Sequence, residues 1–231
     1  MPRMMQRAWR RDDSRVPGAI VMETRAFLLR CALTAAISIV AVASSVPAMA
    51  DTDPMDTVKT TVNQALDVLR NRSTSPAERG RELIATVHDK FDFADMARST
   101  LGYHWRELTA AQRSEFVTLF TSFMQDAYLS KIEGYSGQTI EFKGESRTEP
   151  GYAQVNSLVV QPNGAEPIHL DYQLKQDGGD WKVYDVAVDN ISITDNYRNQ
   201  FNRVIQNQGY DALVKAMRAK QQELTASLAA G

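Results

Sequence analysis

The sequence is poor in the residues that most often carry chemistry. Its 231 residues include one cysteine and three histidines. The histidines, His88, His104 and His169, lack the helical spacing of metal ligands. The sequence also has no Gly-x-Ser-x-Gly elbow and no phosphate-binding loop. We therefore predict no catalytic residue, no metal site and no cofactor, and we expect that the protein is not an enzyme.

An excess of positive charge is also lacking, because the formal net charge is −2. Seven of the 26 lysines and arginines and three of the 28 acidic residues precede Asp51, so the rest of the chain has a formal net charge of −6. An acidic chain without a basic stripe is poorly suited to bind nucleic acid or anionic lipid headgroups. We therefore predict no nucleic-acid partner.

Residues 1–50 are predicted to be a leader that includes a cleaved signal peptide at about residues 25–50. Basic residues precede an apolar run from Ala32 to Val46, which is followed by Ala48-Met49-Ala50. This small-x-small pattern predicts cleavage before Asp51. The alternative, a retained anchor, is disfavoured because the run is shorter than the roughly 20 residues that a spanning helix needs.

Residues 51–231 have the length of one domain, whether translation starts at Met1 or at Met22. This part contains no cysteine, because Cys31 lies in the leader, so we expect no disulfide. Apolar residues at spacings of three and four predict helices over Pro54–Arg70, from Pro76 onward and over Ala94–Leu101.

A long helix from Ala110 to about Ile132 is predicted to carry the most aromatic face of the chain. Thr109 and Gln112 form a capping-box pattern at its start. Phe116, Phe120, Phe123 and Met124 lie on one face, because they recur at helical spacing. Such a wide apolar face must be covered by another layer of the fold.

The pattern then changes to the alternation of β-strands. Four strands are predicted, at Thr139–Lys143, at Tyr152–Val160, around Ile168–Lys175 and around Tyr184–Val188. In the third strand Leu170, Tyr172 and Leu174 share one face, and in the fourth Tyr184, Val186 and Val188 do so, with Asp185 on the wet face. This indicates an antiparallel meander with one apolar face.

The C-terminal part returns to helical spacing. Ile191, Ile193, Tyr197 and Phe201 are predicted to share a buried face, and a last helix starts at Tyr210. We therefore predict an α+β fold in which N-terminal and C-terminal helices pack on one face of a four-stranded antiparallel sheet and enclose an apolar cavity. Asp185 and Arg198 are expected to form a structural ion pair where the last strand meets the following helix.

Many short blocks of the sequence resemble the MlaC family. They are Phe91-Asp92-Phe93 with Met96-Ala97-Arg98, Leu101-Gly102 with Trp105, Leu108-Thr109 with Gln112-Arg113 and Phe116, Tyr128, Pro162-Asn163-Gly164, Leu170-Asp171-Tyr172, Trp181-Lys182-Val183-Tyr184-Asp185-Val186, Ile191-Ser192, and Asn196-Tyr197-Arg198 with Gln200-Phe201. Each block alone is weak, but together they cover nearly all of residues 51–231, which the resemblance makes a single MlaC-like lipid-binding domain.

The resemblance implies a periplasmic lipid carrier. Such a carrier would hold the acyl chains of a phospholipid and shuttle it between an outer-membrane lipoprotein–porin complex and an inner-membrane ABC transporter with a lipid-binding substrate component. Outer-membrane lipid asymmetry and toluene tolerance are the associated functions. Two alternatives remain open, a carrier of hopanoid lipids and a non-enzymatic adaptor that binds a protein partner in its groove.

The predicted lining of the lipid pocket combines the aromatic helix, the apolar sheet face and the following helix. It comprises Trp105, Phe116, Phe120, Phe123, Met124, Leu170, Tyr172, Leu174, Tyr184, Val186, Val188, Tyr197 and Phe201. The same residues could instead simply fill a closed core. A carrier must also open, so we predict that the short helix around Met96–Leu101 moves relative to the sheet.

Overall fold

The computed structural model describes residues 53–133 and 135–230. The predicted leader and its cleavage site lie outside these residues, so both remain predictions. The described residues begin with four helices, α1 (Pro54–Arg70), α2 (Pro76–His88), α3 (Phe93–Leu101) and α4 (Ala110–Glu133), with a short 3₁₀ helix at Gly102–Glu107 before α4. Strands β1 (Thr139–Glu149), β2 (Tyr152–Val160), β3 (Ile168–Asp177), β4 (Asp180–Val188) and β5 (Ile191–Ser192) follow. Helices α5 (Ile193–Gln208) and α6 (Tyr210–Ala230) complete the described chain.

Local side-chain bonds fix where the helices begin. Asp53 caps α1 by accepting a hydrogen bond from the Met55 amide at 2.8 Å. The predicted capping box of α4 is present: the Gln112 amide donates to the Thr109 hydroxyl at 3.2 Å, and the Thr109 amide donates to Gln112 Oε1 at 2.9 Å. The long aromatic helix therefore starts where its sequence predicts.

The strands form one antiparallel sheet in the order β1-β2-β3-β4-β5. The four predicted strands are confirmed, and the fifth, β5, is a two-residue strand that the sequence pattern does not predict. Asp189 and Asn190 have φ values of 48° and 65°, which suit a two-residue hairpin turn and return the chain alongside β4. Ile191 was predicted to be buried, and this is wrong, because 63% of it is exposed.

The helices and the inner face of the sheet share one apolar core. Along β2 and β3, Ala153, Val155 and Leu174 are almost fully buried, and register pairs Ala153 with Leu174 and Leu174 with Val183. Helix α1 contacts β1 and β2, while α3 and α5 contact β4. The α+β architecture is therefore confirmed, with the helices from both ends of the chain on one face of the sheet.

Candidate functional site

The apolar layer between α4, α5 and the sheet is the candidate site. Twelve of the thirteen predicted lining residues lie in or against one core cluster. Seven are buried, namely Phe116, Phe120, Phe123, Met124, Leu174, Val186 and Phe201, and five are partly buried, namely Trp105, Leu170, Tyr172, Val188 and Tyr197. Their role in lining a lipid pocket stays a prediction.

The aromatic rings of α4 and α5 pack directly against one another. The Phe116 ring centroid lies 6.1 Å from that of Phe120 and 6.2 Å from that of Phe201 in an edge-on contact. The ring of Tyr197 lies 5.5 Å from Phe123 and 5.4 Å from Phe201. These spacings are those of favourable aromatic pairs in a closed core. A lipid that entered this layer would have to separate the rings.

Cross-strand pairs of β3 and β4 form the floor of the layer. Leu170 pairs with Val188, and Tyr172 pairs with Val186. Residues directly opposite in an antiparallel pair point to the same face of the sheet. These four residues therefore lie in two facing pairs, and the two members of each pair point to the same side of the sheet, as predicted.

Tyr184 is the exception among the predicted lining residues. The pairing shifts by one residue at this point, because Gln173 pairs with Asp185 whereas Leu174 pairs with Val183. The bulge leaves Tyr184 as an extra residue and turns its ring toward Tyr152, at 5.9 Å and 86° between the ring planes. The predicted sharing of one face by Tyr184 and Val186 is therefore wrong, since Tyr184 lies on the outer face.

Asp185 is buried at the corner where β4 leads to α5, so the solvent exposure predicted for it is wrong. Only 8% of the residue is exposed. Its carboxylate accepts hydrogen bonds from the Thr194 amide at 3.1 Å and from the Ser192 hydroxyl. The predicted ion pair with Arg198 is not formed in the described structure. Arg198 instead lies 2.7 Å from Asp195 and donates to the Ser99 carbonyl at 2.6 Å.

Three tyrosines bring neutral phenol groups into the layer. Burial raises the pKa of Tyr172, and a hydrogen bond with Ser157 offsets part of this effect. Burial likewise raises the pKa of Tyr197, which forms a hydrogen bond with Tyr128, and raises that of Tyr128 strongly. These hydroxyls remain uncharged at neutral pH, so they do not oppose the burial of hydrocarbon.

A separate cleft with a volume of about 550 Å³ lies between α4 and α6. Its lining includes Gln112, Glu115, Tyr210, Lys215 and Arg218. Burial, together with the nearby carboxylate of Glu115, raises the pKa of Tyr210 to about 12. The predicted lining residues do not border this cleft. Charged side chains from both helices therefore line this cleft, whereas the layer between α4, α5 and the sheet is lined by apolar residues.

Two further observations concern the described residues as a whole. Within residues 53–133 and 135–230, no three His, Cys, Asp or Glu side chains converge as a metal site requires. In the same part of the chain, no helix combines the length and hydrophobicity needed to cross a membrane.

Comparison with known proteins now adds to this geometry. The model of a family described as "MlaC protein" matches residues 59–219. The chain belongs to the MlaC family. The predicted resemblance is thereby confirmed, and it spans most of α1, the aromatic helix, the sheet and about the first half of α6.

Relatives of known name support membership of the MlaC family. The chain is 26% identical over 120 residues to the intermembrane phospholipid transport system binding protein MlaC of Haemophilus influenzae. This alignment covers 51% of this chain and 56% of the relative. It is 30% identical over 106 residues to the toluene tolerance protein ttg2D of Pseudomonas putida, covering 46% and 49%. The matches therefore span about half the length of these relatives.

A solved structure extends the comparison over more of the MlaC fold. The phospholipid-binding protein from Ralstonia solanacearum, determined in complex with a phospholipid, has a TM-score of 0.67 to this chain at 25% identity. The alignment covers 75% of this chain and 99% of the Ralstonia chain. The whole fold of that phospholipid-bound protein is therefore matched within this one.

Proposed function

We propose that this protein is a lipid carrier that binds the acyl chains of a phospholipid between α4, α5 and the inner face of the sheet. The observation that carries the proposal is the single apolar cluster that gathers twelve predicted lining residues. The similarity of the whole fold to a protein solved with bound phospholipid supports it. The proposed lining is the predicted set without Tyr184, which faces the other side of the sheet.

The chemistry of this layer suits hydrocarbon. Burial of each CH₂ group contributes about 0.8 kcal/mol, so two acyl chains supply a large favourable free energy without a specific polar contact. Aromatic rings and Met124 line the helix side. A methionine side chain adapts readily to chains of different shape. We therefore expect binding to depend on chain length more than on headgroup charge.

Loading requires the closed layer to open. The rings of Phe116, Phe201 and Tyr197 are in contact, so acyl chains enter only when α4 and α5 separate from each other or from the sheet. Helix α3 contacts both α4 and α5 and also touches β4. Its position between these elements makes α3 the element that we expect to move.

We further propose that the carrier works in the periplasm, after cleavage of the leader, without chemical change to its cargo. Its donor and acceptor would be the inner-membrane ABC transporter with a lipid-binding substrate component and the outer-membrane lipoprotein–porin complex. The name of the Haemophilus relative, an intermembrane phospholipid transport system binding protein, supports this context. The acidic net charge of the predicted mature chain fits a carrier that releases readily from anionic headgroups.

Mass spectrometry of an organic extract from the natively purified protein tests the proposal. Phospholipid at close to one molecule per protein, with intact ester bonds, is the expected result. A triterpenoid in its place would favour the hopanoid alternative. An empty extract from a folded protein that also fails to take up phospholipid from vesicles would overturn the carrier and favour the adaptor.

A further inference from the structure

The indole N–H of Trp181 is a buried hydrogen-bond donor that has no acceptor in the part of the chain that the structure describes. Only 3% of the residue is exposed, and no acceptor among the described residues lies within hydrogen-bond distance of Nε1. A buried donor that forms no hydrogen bond costs free energy, so its presence calls for an explanation, and an acceptor supplied by a ligand is one. Trp181 is therefore a place to look for a ligand contact.

Trp181 lies where the apolar core meets a polar rim. It belongs to the main core cluster, two residues along β4 from Val183 on the inner face. The guanidinium carbon of Arg147 lies 5.6 Å from the centre of its ring, and the Arg147 side chain is 49% exposed. The indole of Trp181 therefore contacts the apolar core on one side and the partly exposed Arg147 side chain on the other.

The charges of this rim are already matched. Arg147 Nε lies 3.0 Å from Glu145 Oε1, and its guanidinium lies 3.7 Å from Asp53. Glu145 also accepts a hydrogen bond from the Met55 amide at 3.1 Å. Two carboxylates against one guanidinium disfavour a further anion at this position. An uncharged acceptor suits the Trp181 N–H better than a phosphate does.

We propose that the Trp181 N–H donates a hydrogen bond to an ester carbonyl of the bound acyl lipid and so selects for acyl esters. This inference rests on the proposed function. In a diacyl lipid the ester carbonyl joins the apolar chains to the polar headgroup, which is the same boundary that Trp181 occupies. An ether lipid has the same chains and headgroup but no carbonyl oxygen, so it leaves the indole unpaired.

The direct test compares two ligands on the wild-type protein. Protein purified from expression of the full chain is stripped of lipid and titrated with diacyl phosphatidylglycerol and with its dialkyl ether analogue of equal chain length. We expect the ester to bind about three- to tenfold more tightly, the range for one hydrogen bond. Equal affinity would overturn the inference while leaving the carrier intact. Binding of neither lipid would instead overturn the proposed function.

Variants locate the preference at Trp181. Trp181→Phe should bind the ether lipid as the wild type does and lose the preference for the ester. The matched control is Tyr152→Phe, which removes a hydroxyl from an aromatic residue on the outer face and should keep the preference. Retention of the preference in Trp181→Phe would contradict the inference.

A measurement that does not depend on affinity completes the test. The indole N–H resonance of Trp181, assigned by its loss in Trp181→Phe, should move downfield when the ester lipid binds, because hydrogen bonding deshields the proton. Saturation with the ether lipid should leave it nearer its lipid-free position. The same shift with both lipids would indicate a bound water as the acceptor and would overturn the inference.

Discussion

Lys175 Nζ lies 2.7 Å from a carboxylate oxygen of Asp95, and this contact ties β3 to the first turn of α3. The same ammonium lies 2.8 Å from Asp92, whose other carboxylate oxygen caps α3 by accepting from the Asp95 amide at 2.8 Å. The three side chains are only 13–20% exposed. One lysine on the sheet therefore holds the start of the helix that we expect to move.

The first prediction concerns the contact of Lys175 with Asp92 and Asp95, which we call the tether. Lys175→Met should lower the free energy of unfolding by about 1–3 kcal/mol, because it removes the cation that two partly buried carboxylates share. Asp95 keeps its ion pair with Arg98. The substitution should also speed the exchange of a fluorescent phospholipid between the protein and vesicles, because α3 is less firmly held. Chemical denaturation and stopped-flow fluorescence measure the two effects.

A matched control is Lys143→Met. Lys143 pairs with Glu141 on β1, but both side chains are about half exposed, so its loss should change stability by less than about 0.5 kcal/mol. Faster exchange in both variants would show that loss of positive charge is responsible. In that case the tether would not control opening.

The second prediction concerns pH. Burial alone would raise the pKa of the Asp92 carboxyl, but the hydrogen bonds from Lys175 and the Asp95 amide lower it below its ordinary value of 3.8. Burial alone would lower the pKa of Lys175, yet the contacts with Asp92 and Asp95 raise it above 10.5. A depressed carboxyl pKa stabilises the fold above pH 3.8, and this contribution is lost as the pH falls through the folded-state value.

Asp92→Asn should therefore cost the most stability between about pH 5 and pH 9, where both charges are present in either state. The difference from the wild type should shrink below pH 3.8 as the wild-type carboxyl is protonated. It should also shrink above pH 10.5 as Lys175 loses its proton. Urea denaturation across this range gives the profile, and a constant difference at every pH would contradict the tether.

The elements that the sequence predicted well are those fixed by local chemistry. The capping box of Thr109 and Gln112 needs only residues three apart, and the alternation of Leu170, Tyr172 and Leu174 needs only a regular strand. The family resemblance could be read from short blocks for the same reason. The aromatic cluster could be predicted from these periodicities, because the apolar face of α4 and the apolar face of the sheet must both be buried.

Prediction failed where distant groups decide the conformation. The bulge at Tyr184 does not disturb the apolar–polar pattern of β4, so alternation placed its ring on the wrong face. Asp185 is buried because Ser192 and Thr194 satisfy its carboxylate after the chain has turned. The Lys175–Asp92 contact joins residues far apart in sequence, and no local pattern marks it.

The third prediction separates a lipid-binding layer from a filled core. Leu170 is half-buried on the inner face, paired with Ser157 and Val188. Leu170→Trp should cost about 1–3 kcal/mol of stability through overpacking and should remove most co-purified phospholipid, because the indole occupies the space for acyl chains. Thermal denaturation and lipid mass spectrometry provide the two readouts.

The control for this test is Tyr184→Trp, which enlarges a ring on the outer face of the same sheet. It should retain its lipid at a similar stability. If Leu170→Trp also keeps a full complement of lipid, the inner layer is a core and the lipid binds elsewhere, with the cleft between α4 and α6 as the next site to block.

The last prediction asks whether α3 must move. The residue before its cap, Phe91, forms a parallel bridge with Val183, and the Asp92 amide donates to the Val183 carbonyl at 2.8 Å. Bridged residues on adjacent strands lie within the backbone separation that a disulfide spans. Phe91→Cys combined with Val183→Cys should therefore cross-link the entry of α3 to β4, in a chain whose only native cysteine lies in the predicted leader.

The oxidised double variant should retain bound lipid but exchange it at least tenfold more slowly than the reduced form, which serves as its own control for the substitutions. Loading before oxidation and release to vesicles afterwards distinguishes trapping from loss of binding. Equal exchange rates in the two redox states would mean that lipid leaves without movement of α3. Opening would then occur by separation of α4 and α5 from each other or from the sheet, and separation of the two helices breaks the ring contact of Phe123 with Tyr197.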